Sequence, residues 1–354
     1  MPPALAAAAR IQNEPKYQVV TKYKASGKLG MPGPYPGRVV SLLSKSVINP
    51  ATEKVEEPVV REMMRRGMLA LTGDKDIRDS WRRFIEPNDV VGIKTNCSGA
   101  PQICSHPIVV GEIVRNLVAI GVKPTNIHLY ERFANQLVTV KYENYVPAGV
   151  HVKAIGEGRA EMTGYDPHTY VECDFFGEDD GRSNMVRLVT ETFTKIVNVP
   201  NMKDHGASGV TGCLKNIAYG NFHNVARSHK YTKTNTLSFI GTLASVEPLR
   251  SKAVLSVMDG LKAVWQGGPF APKKEFRFYP GQMMFGTDPV AMDRLLLDII
   301  EDERKRHGYP SVWTRELPKG DHYLREPGHI EFAGKLGLGV HDKSKIKLEE
   351  IRLA

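Results

Sequence analysis

A chain of 354 residues is long enough for a large buried core, which excludes a peptide-sized or disulfide-stapled scaffold. Apolar residues at 41%, charged residues at 25% and a mean hydropathy of -0.30, with no run of about 18 apolar residues, describe a folded, soluble chain without a spanning helix. The formal charge of +9 suits an anionic partner only if it is focused on one face. Arg61, Arg65, Arg66 and Arg78, Arg82, Arg83 fall on helical stretches without interleaved aromatics, which reads as a solvated face and not as a nucleic-acid groove.

Residues 1–37 are rich in Gly, Pro, Lys and Tyr and read as an extended arm. Its first nine residues, inside MPPALAAAARIQ, look like a signal-peptide remnant. That predicts a periplasmic or secreted protein; an Ala-rich frayed terminus on a cytoplasmic one is the alternative. Residues 38–150 read as a first α/β lobe. It opens with a strand at Arg38–Ser44, followed by amphipathic helices at Val55–Ala70 and Asp76–Phe84 and a strand at Val90–Asn96. Ser105 is placed to cap a helix with Val109, Ile113, Val114, Leu117 and Val118 on one face, ending at Gly121 before a strand at Asn126–Glu131. Strand, helix and strand in about forty residues is the footprint of a parallel βαβ unit. Residues 151–182, with GEDDG at Gly177–Gly181, read as an acidic, Gly-rich insertion. A second α/β lobe spans 183–305, with strands at Lys195–Pro200, Ala253–Asp259 and Met283–Gly286. Asp288 and Pro289 carry the N-cap and first-turn signal of its last helix. Residues 306–354 form a C-terminal extension. The fold class is α/β: mainly parallel sheet with flanking helices built from βαβ units.

Ligands of parallel sheets bind beyond the carboxyl ends of the strands, and polar groups gather there. Lys94, Asn96 and Cys97 follow one strand, Glu131 and Arg132 a second, Asn201, Lys203 and His205 a third, and Asp259 a fourth. The stretch Asn198–Lys230 holds His205, His223, His229, Lys215 and glycines that include Gly209 and Gly212, a pattern that suits a cofactor-binding loop. A surface loop with histidines satisfied by backbone carbonyls is the competing reading. No H-E-x-x-H, G-x-G-x-x-G or G-K-[ST] motif occurs, so zincin, dinucleotide and nucleotide-hydrolase classes lack support. Four cysteines without C-x-x-C spacing exclude a compact zinc ribbon or iron–sulfur motif. Cys97 and Cys104 bracket SGAPQI; they are a candidate disulfide if the chain is exported, and loop thiols with a reactive Cys97 if it is not.

The blocks VGIKTNCSG, SHPIVVGEIVRNLVAIGV, KIVNVPNMKDHGASGVTGCLKNIAYG, VMDGLKAVWQGGP and MMFGTDPVAMD resemble, in order and spacing, the signatures of the family called domain of unknown function 362. The resemblance covers roughly residues 35 to 305 and implies an α/β fold, often behind a twin-arginine export signal. The order His205, Gly-rich loop, Lys215, then His223 or His229 is also similar to the nickel-pincer lactate racemase family, where the lysine carries the cofactor and a later histidine ligates the metal. His106 is the only candidate here for that family's paired-histidine motif.

These residues lead to the expectation of a metal- or organometal-dependent enzyme, with nickel or iron as the divalent metal, acting on a small anionic carboxylate or hydroxy acid by proton or hydride transfer. His205, Lys94 and Asp259 are the candidate catalytic groups. Lys215, Asn216, Gly209 and Gly212 would bind the cofactor, while Lys94, Asn96 and Arg132 would bind the substrate. His205, His223 and His229 would ligate the metal. The alternative is a non-catalytic exported binding or assembly protein; a homo-oligomer is compatible with either.

Overall fold

The β-branched runs assemble into one central sheet. Its main strands, besides the short Gly209–Thr211 and Arg277–Phe278, are β1 (Arg38–Leu43), β2 (Val91–Lys94), β3 (Ile127–Glu131), β4 (His151–Ala154), β5 (Lys195–Asn198), β6 (Asn201–His205), β7 (Ala253–Val264), β8 (Gln282–Gly286) and β9 (Lys347–Arg352). The computed structural model describes residues 15–155, 163–175, 181–230, 233–234, 236–271, 273–314 and 325–353. The spatial order is β9–β1–β8–β7–β5–β2–β3–β4, with β6 beside the far end of β7. Along this path only β8 runs against its neighbours; the other pairings are parallel.

A parallel sheet must be covered on both faces, and β2, β3 and β8 are accordingly buried along their whole lengths. On one face Val60, Met63 and Met64 of helix α1 (Glu57–Thr72) join Val109, Ile113 and Leu117 of α2 (Pro107–Ala119) in a single core. The other face is covered by α3 (Cys213–Tyr219), α4 (Thr236–Ser245) and α5 (Pro289–Arg306), through Ile217, Phe239, Leu243 and Leu296. Removing one such side chain, as in Leu117→Ala, costs about 2–5 kcal/mol through the cavity left behind.

The start of α5 is as expected: Asp288 accepts the Ala291 N–H at 2.8 Å, with Pro289 in the first turn. The start of α2 differs. His106 is its cap residue and Pro107 its first helical residue, so Ser105 falls one position outside. Its hydroxyl donates to the Val199 carbonyl at 2.6 Å and accepts the Asn96 N–H at 2.7 Å, tying the β2 loop to the end of β5.

The stretches read as two lobes share this sheet, because β5 lies between β2 and β7. The arm contributes Gln18–Val20 to a separate antiparallel sheet with Tyr165–Glu172 and Arg182–Val186. The C-terminal extension returns as β9, in parallel with β1. The signal-like residues 1–9 and the acidic residues 176–180 lie outside the described residues. On α1 the arginines are matched locally: Arg61 with Glu57 at 2.9 Å, and Arg65 and Arg66 with Glu62 at 2.8 and 3.0 Å. Such exposed pairs each contribute only a few tenths of a kcal/mol. Among the described residues no helix is long and apolar enough to cross a membrane.

Candidate functional site

The register of the sheet sets Lys94 level with Tyr130 of β3 and Asn198 of β5, so the segments leaving these strands must converge. They do so around a cleft of about 550 Å³, whose walls include Lys94, Asn96, Arg132, His205, Lys215, Asn216 and His229.

Lys94 is not available to neutralise a substrate. It is buried and bonded to Glu131 at 2.9 Å, and it also donates to the Thr95 carbonyl. The Glu131 carboxylate accepts the N–H groups of Arg132 at 2.7 Å and Cys97 at 3.0 Å as well. Gly220 permits this close packing, because a Cβ there would collide with the Lys94 side chain. Asp204, the second carboxylate on the wall, faces Arg325 at 3.2 Å and Arg304 at 3.6 Å. Arg325 is a cleft residue that sequence reasoning missed. It comes from the C-terminal extension, 121 positions from its partner, with no motif around it.

Lys215 differs from Lys94. Among the described residues no carboxylate pairs with it, and its ammonium sits 4.6 Å from the ring centroid of Tyr219. Burial first, then the positive charges of Arg132 and Lys203, lower its pKa to about 7. Lys203, lowered by burial to about 8, donates to Asn96 Oδ1 at 2.6 Å and to the Ser98 carbonyl. From there a chain of amides runs inward: Asn96 Nδ2 donates to Asn216 Oδ1 at 3.1 Å, and Asn216 Nδ2 to Asn198 Oδ1 at 2.8 Å. Asn96 and Asn216 thus bond each other and fix the wall.

The histidines separate. His205 Nδ1 accepts the N–H groups of Ala207 at 3.0 Å and Ser208 at 3.3 Å, so its neutral ring carries the proton on Nε2. The His229 Nδ1 lies 3.2 Å from the Ser228 hydroxyl, and its neutral ring carries a proton on one nitrogen and a lone pair on the other. The two rings lie 5.2 Å apart. Burial holds both neutral, lowering His229 to about 3 and His205 well below the usual range. His223, in contrast, accepts the Asn184 N–H at 2.7 Å and packs on Tyr165, and is not part of the cleft wall. Among the described residues no group of three or more His, Cys, Asp or Glu side chains is arranged to hold a metal ion. The expected set of His205, His223 and His229 is therefore not assembled, since backbone N–H groups occupy the His205 lone pair and His223 is turned elsewhere. Lys215 and His229 do suit an organometal group anchored on a lysine and ligated by one histidine, because one offers an amine without a carboxylate partner and the other a neutral imidazole.

Other expected site residues lie elsewhere. Gly209 has φ of +82° and faces Pro327, while Gly212 lies against the Asp293 carboxylate, which accepts the N–H groups of Cys213 and Leu214 at 2.6 and 2.9 Å. These glycines shape the backbone and do not line the cleft. Asp259 borders a separate cavity of about 210 Å³ with Cys104, His106, Asn201 and Lys262. It accepts the N–H groups of His106 at 2.6 Å and Leu261 at 3.0 Å, and burial raises it to about 6. Cys97 and Cys104 are free thiols rather than a disulfide. The Cys97 sulfur lies 3.6 Å from the Thr95 hydroxyl and 3.8 Å from that of Tyr142. Burial pushes both thiols above their ordinary range, Cys104 to about 11, which removes the thiolate that reactivity needs. Sequence reasoning also passed over the aromatic wall of Phe133, Tyr219 and Phe270; the GGPF run at Gly267–Phe270 was the available signal for a turn there.

The fold and the cleft together define an α/β protein with a cation-rich pocket at the carboxyl ends of parallel strands, the place where such sheets bind ligands. The chain belongs to the family described as domain of unknown function (DUF362), whose profile matches residues 91–298, from β2 into α5. No curated protein matches the chain. A crystal structure of a protein from Thermotoga maritima is similar at 11% identity with a TM-score of 0.38, over 72% of this chain and 59% of that one; the chain thus spans less than two thirds of that protein's length.

Proposed function

We propose that the protein is an enzyme that binds a small carboxylate or hydroxy acid in this cleft and moves a proton or hydride at the carbon beside the carboxylate. The observation that carries this reading is the charge balance of the wall. Four cationic side chains, Lys94, Arg132, Lys215 and Arg325, face two carboxylates, Glu131 and Asp204, and both carboxylates are already bonded to cations. Lys215 has no carboxylate partner among the described residues, and its charge when protonated favours an anion in a partly desolvated cleft.

The two imidazoles give that anion complementary neighbours. The His205 Nε2–H can donate to a carbonyl or hydroxyl oxygen, and the lone pair of His229 can accept a proton or ligate a metal. A nickel- or iron-bearing organometal group held by Lys215 and His229 would supply a hydride acceptor there. Asn96 and Asn216, locked to each other and to Lys203, keep the wall from collapsing into the space. We propose a periplasmic or secreted location, which fractionation of cells carrying the full gene checks.

Calorimetric titration with lactate, pyruvate and inorganic phosphate tests the site, with the wild type beside Arg132→Ala. We expect a carboxylate to bind and Arg132→Ala to weaken it at least tenfold, about 1.4 kcal/mol. Wash-in of solvent deuterium at the carbon beside the bound carboxylate, read by NMR, tests catalysis. Binding without exchange or turnover favours the non-catalytic reading, and no binding of any anion removes the proposal.

A further inference from the structure

We propose a specific chemistry that rests on this anion-site reading and applies where Lys215 carries no organometal group: the Lys215 amine condenses with the carbonyl of a 2-oxo acid to form an imine inside the cleft. Three lysines approach this region, and their surroundings set them apart. Lys94 is bonded to Glu131 and the Thr95 carbonyl, and Lys203 to Asn96 and the Ser98 carbonyl. Lys215 projects from α3 into the cleft, where its nitrogen lies 4.6 Å from the Tyr219 ring centroid and no carboxylate among the described residues pairs with it. A lysine becomes nucleophilic when it is desolvated beside other cations, and burial first, then Arg132 and Lys203, lowers Lys215 to about 7.

The other groups the reaction needs are on the same wall. Arg132 can hold the carboxylate of the acid, and the His205 Nε2–H can polarise its carbonyl oxygen. In the first step the nitrogen lone pair attacks the carbonyl carbon, a C–N bond forms, and the π pair moves to the oxygen, which takes up a proton. The nitrogen gives up one proton as the carbinolamine forms and the second as that oxygen, protonated again, leaves as water, so the nitrogen lone pair closes the C=N bond. The sum is amine plus ketone giving imine plus water, with no oxidant or reductant. The cleft of about 550 Å³ has room beyond a three-carbon acid, and Phe133, Tyr219 and Phe270 on its wall suit an apolar or aryl tail.

The test is reductive trapping. Intact-mass and peptide analysis of the purified protein first establishes whether Lys215 is unmodified. The protein is then incubated with pyruvate or phenylpyruvate and sodium cyanoborohydride, and the peptides are mapped. We expect a single adduct at Lys215, reduced at least tenfold in Lys215→Met and in Lys215→Arg, which keeps the charge but cannot form the imine. Labelling should also fall in Arg132→Ala and rise between pH 6 and 8 as the amine loses its proton. No adduct despite calorimetric binding of pyruvate overturns the imine and leaves the anion site standing. Labelling spread over surface lysines and unchanged in both Lys215 variants overturns it too, as does another group already attached to Lys215. Absence of both adduct and binding removes the anion site together with the imine.

Discussion

The cation-lined cleft and the smaller cavity beside Asp259 both involve residues that follow or end strands of one sheet, yet their charges are balanced by different partners. In the cleft, Glu131 and Asp204 are bonded to side-chain cations, and Lys215 is left without a carboxylate partner among the described residues. In the cavity, the Asp259 carboxylate is bonded to backbone N–H groups, while Lys262 reaches away to Glu53 at 2.7 Å. A buried charge that already has its partner is scaffolding, because a ligand would have to break that bond to use it. One that lacks a partner is a binding group, held at a cost in stability.

The largest effect should come from breaking a scaffolding pair. Glu131→Gln leaves the Lys94 ammonium buried without its carboxylate, and we expect a loss of about 3–5 kcal/mol in urea denaturation. Adding Lys94→Met should recover much of that loss, since removing both charges also removes the uncompensated one. If the single and double variants are equally unstable, Lys94 is not the charge that Glu131 balances.

Lys215 should respond in the opposite direction. Its pKa is near 7 in the folded protein against an ordinary 10.5, so between these values the unfolded chain binds more protons and wild-type stability rises with pH. Below pH 7 the full cost of burying the charge is present. We therefore expect Lys215→Met to stabilise the fold by about 1–3 kcal/mol at pH 6 and by less at pH 9. An equal gain at the two pH values would mean that the amine is not desolvated in the fold.

The strand ends are legible in sequence because a β-branched run followed by polar residues reports both a buried strand and its exit. For that reason the pattern puts Lys94, Asn96, Arg132 and His205 on one wall, and the Gly-rich stretch beyond them supplies Lys215, Asn216 and His229. Pairing is not legible. Nothing local says that Lys94 is bonded to a carboxylate 37 positions away, or that Arg325 returns from the C-terminal extension to face Asp204. His223 and His229 are equally plausible ligands on paper, and only the short helical turn Ala226–Ser228, with the pairing of His223 to Asn184, sends them to different places. The apolar run before Asp259 groups it with the cleft by marking a strand end there, but β7 continues to Val264 and the carboxylate meets the start of α2.

Asp259 yields the smallest expected effect and the sharpest test of whether the two cavities are separate. Burial raises its carboxyl from 3.8 to about 6, so between those values the folded protein holds a proton that the unfolded chain has released. Its contribution to stability therefore falls as pH rises through that window. Asp259→Asn removes the titration while keeping one acceptor oxygen for the backbone N–H groups of His106 and Leu261. Losing one acceptor and one buried charge together should leave stability at pH 7 within about 1 kcal/mol of wild type, with a flatter stability profile between pH 4 and 6. Carboxylate affinity should stay within about twofold, because Asp259 is not on the wall that holds the anion. Should Asp259→Asn instead keep the fold and the affinity while abolishing deuterium exchange at the bound acid, Asp259 would be the proton donor. The cavity beside it would then be the far half of one active site, reached past Lys203.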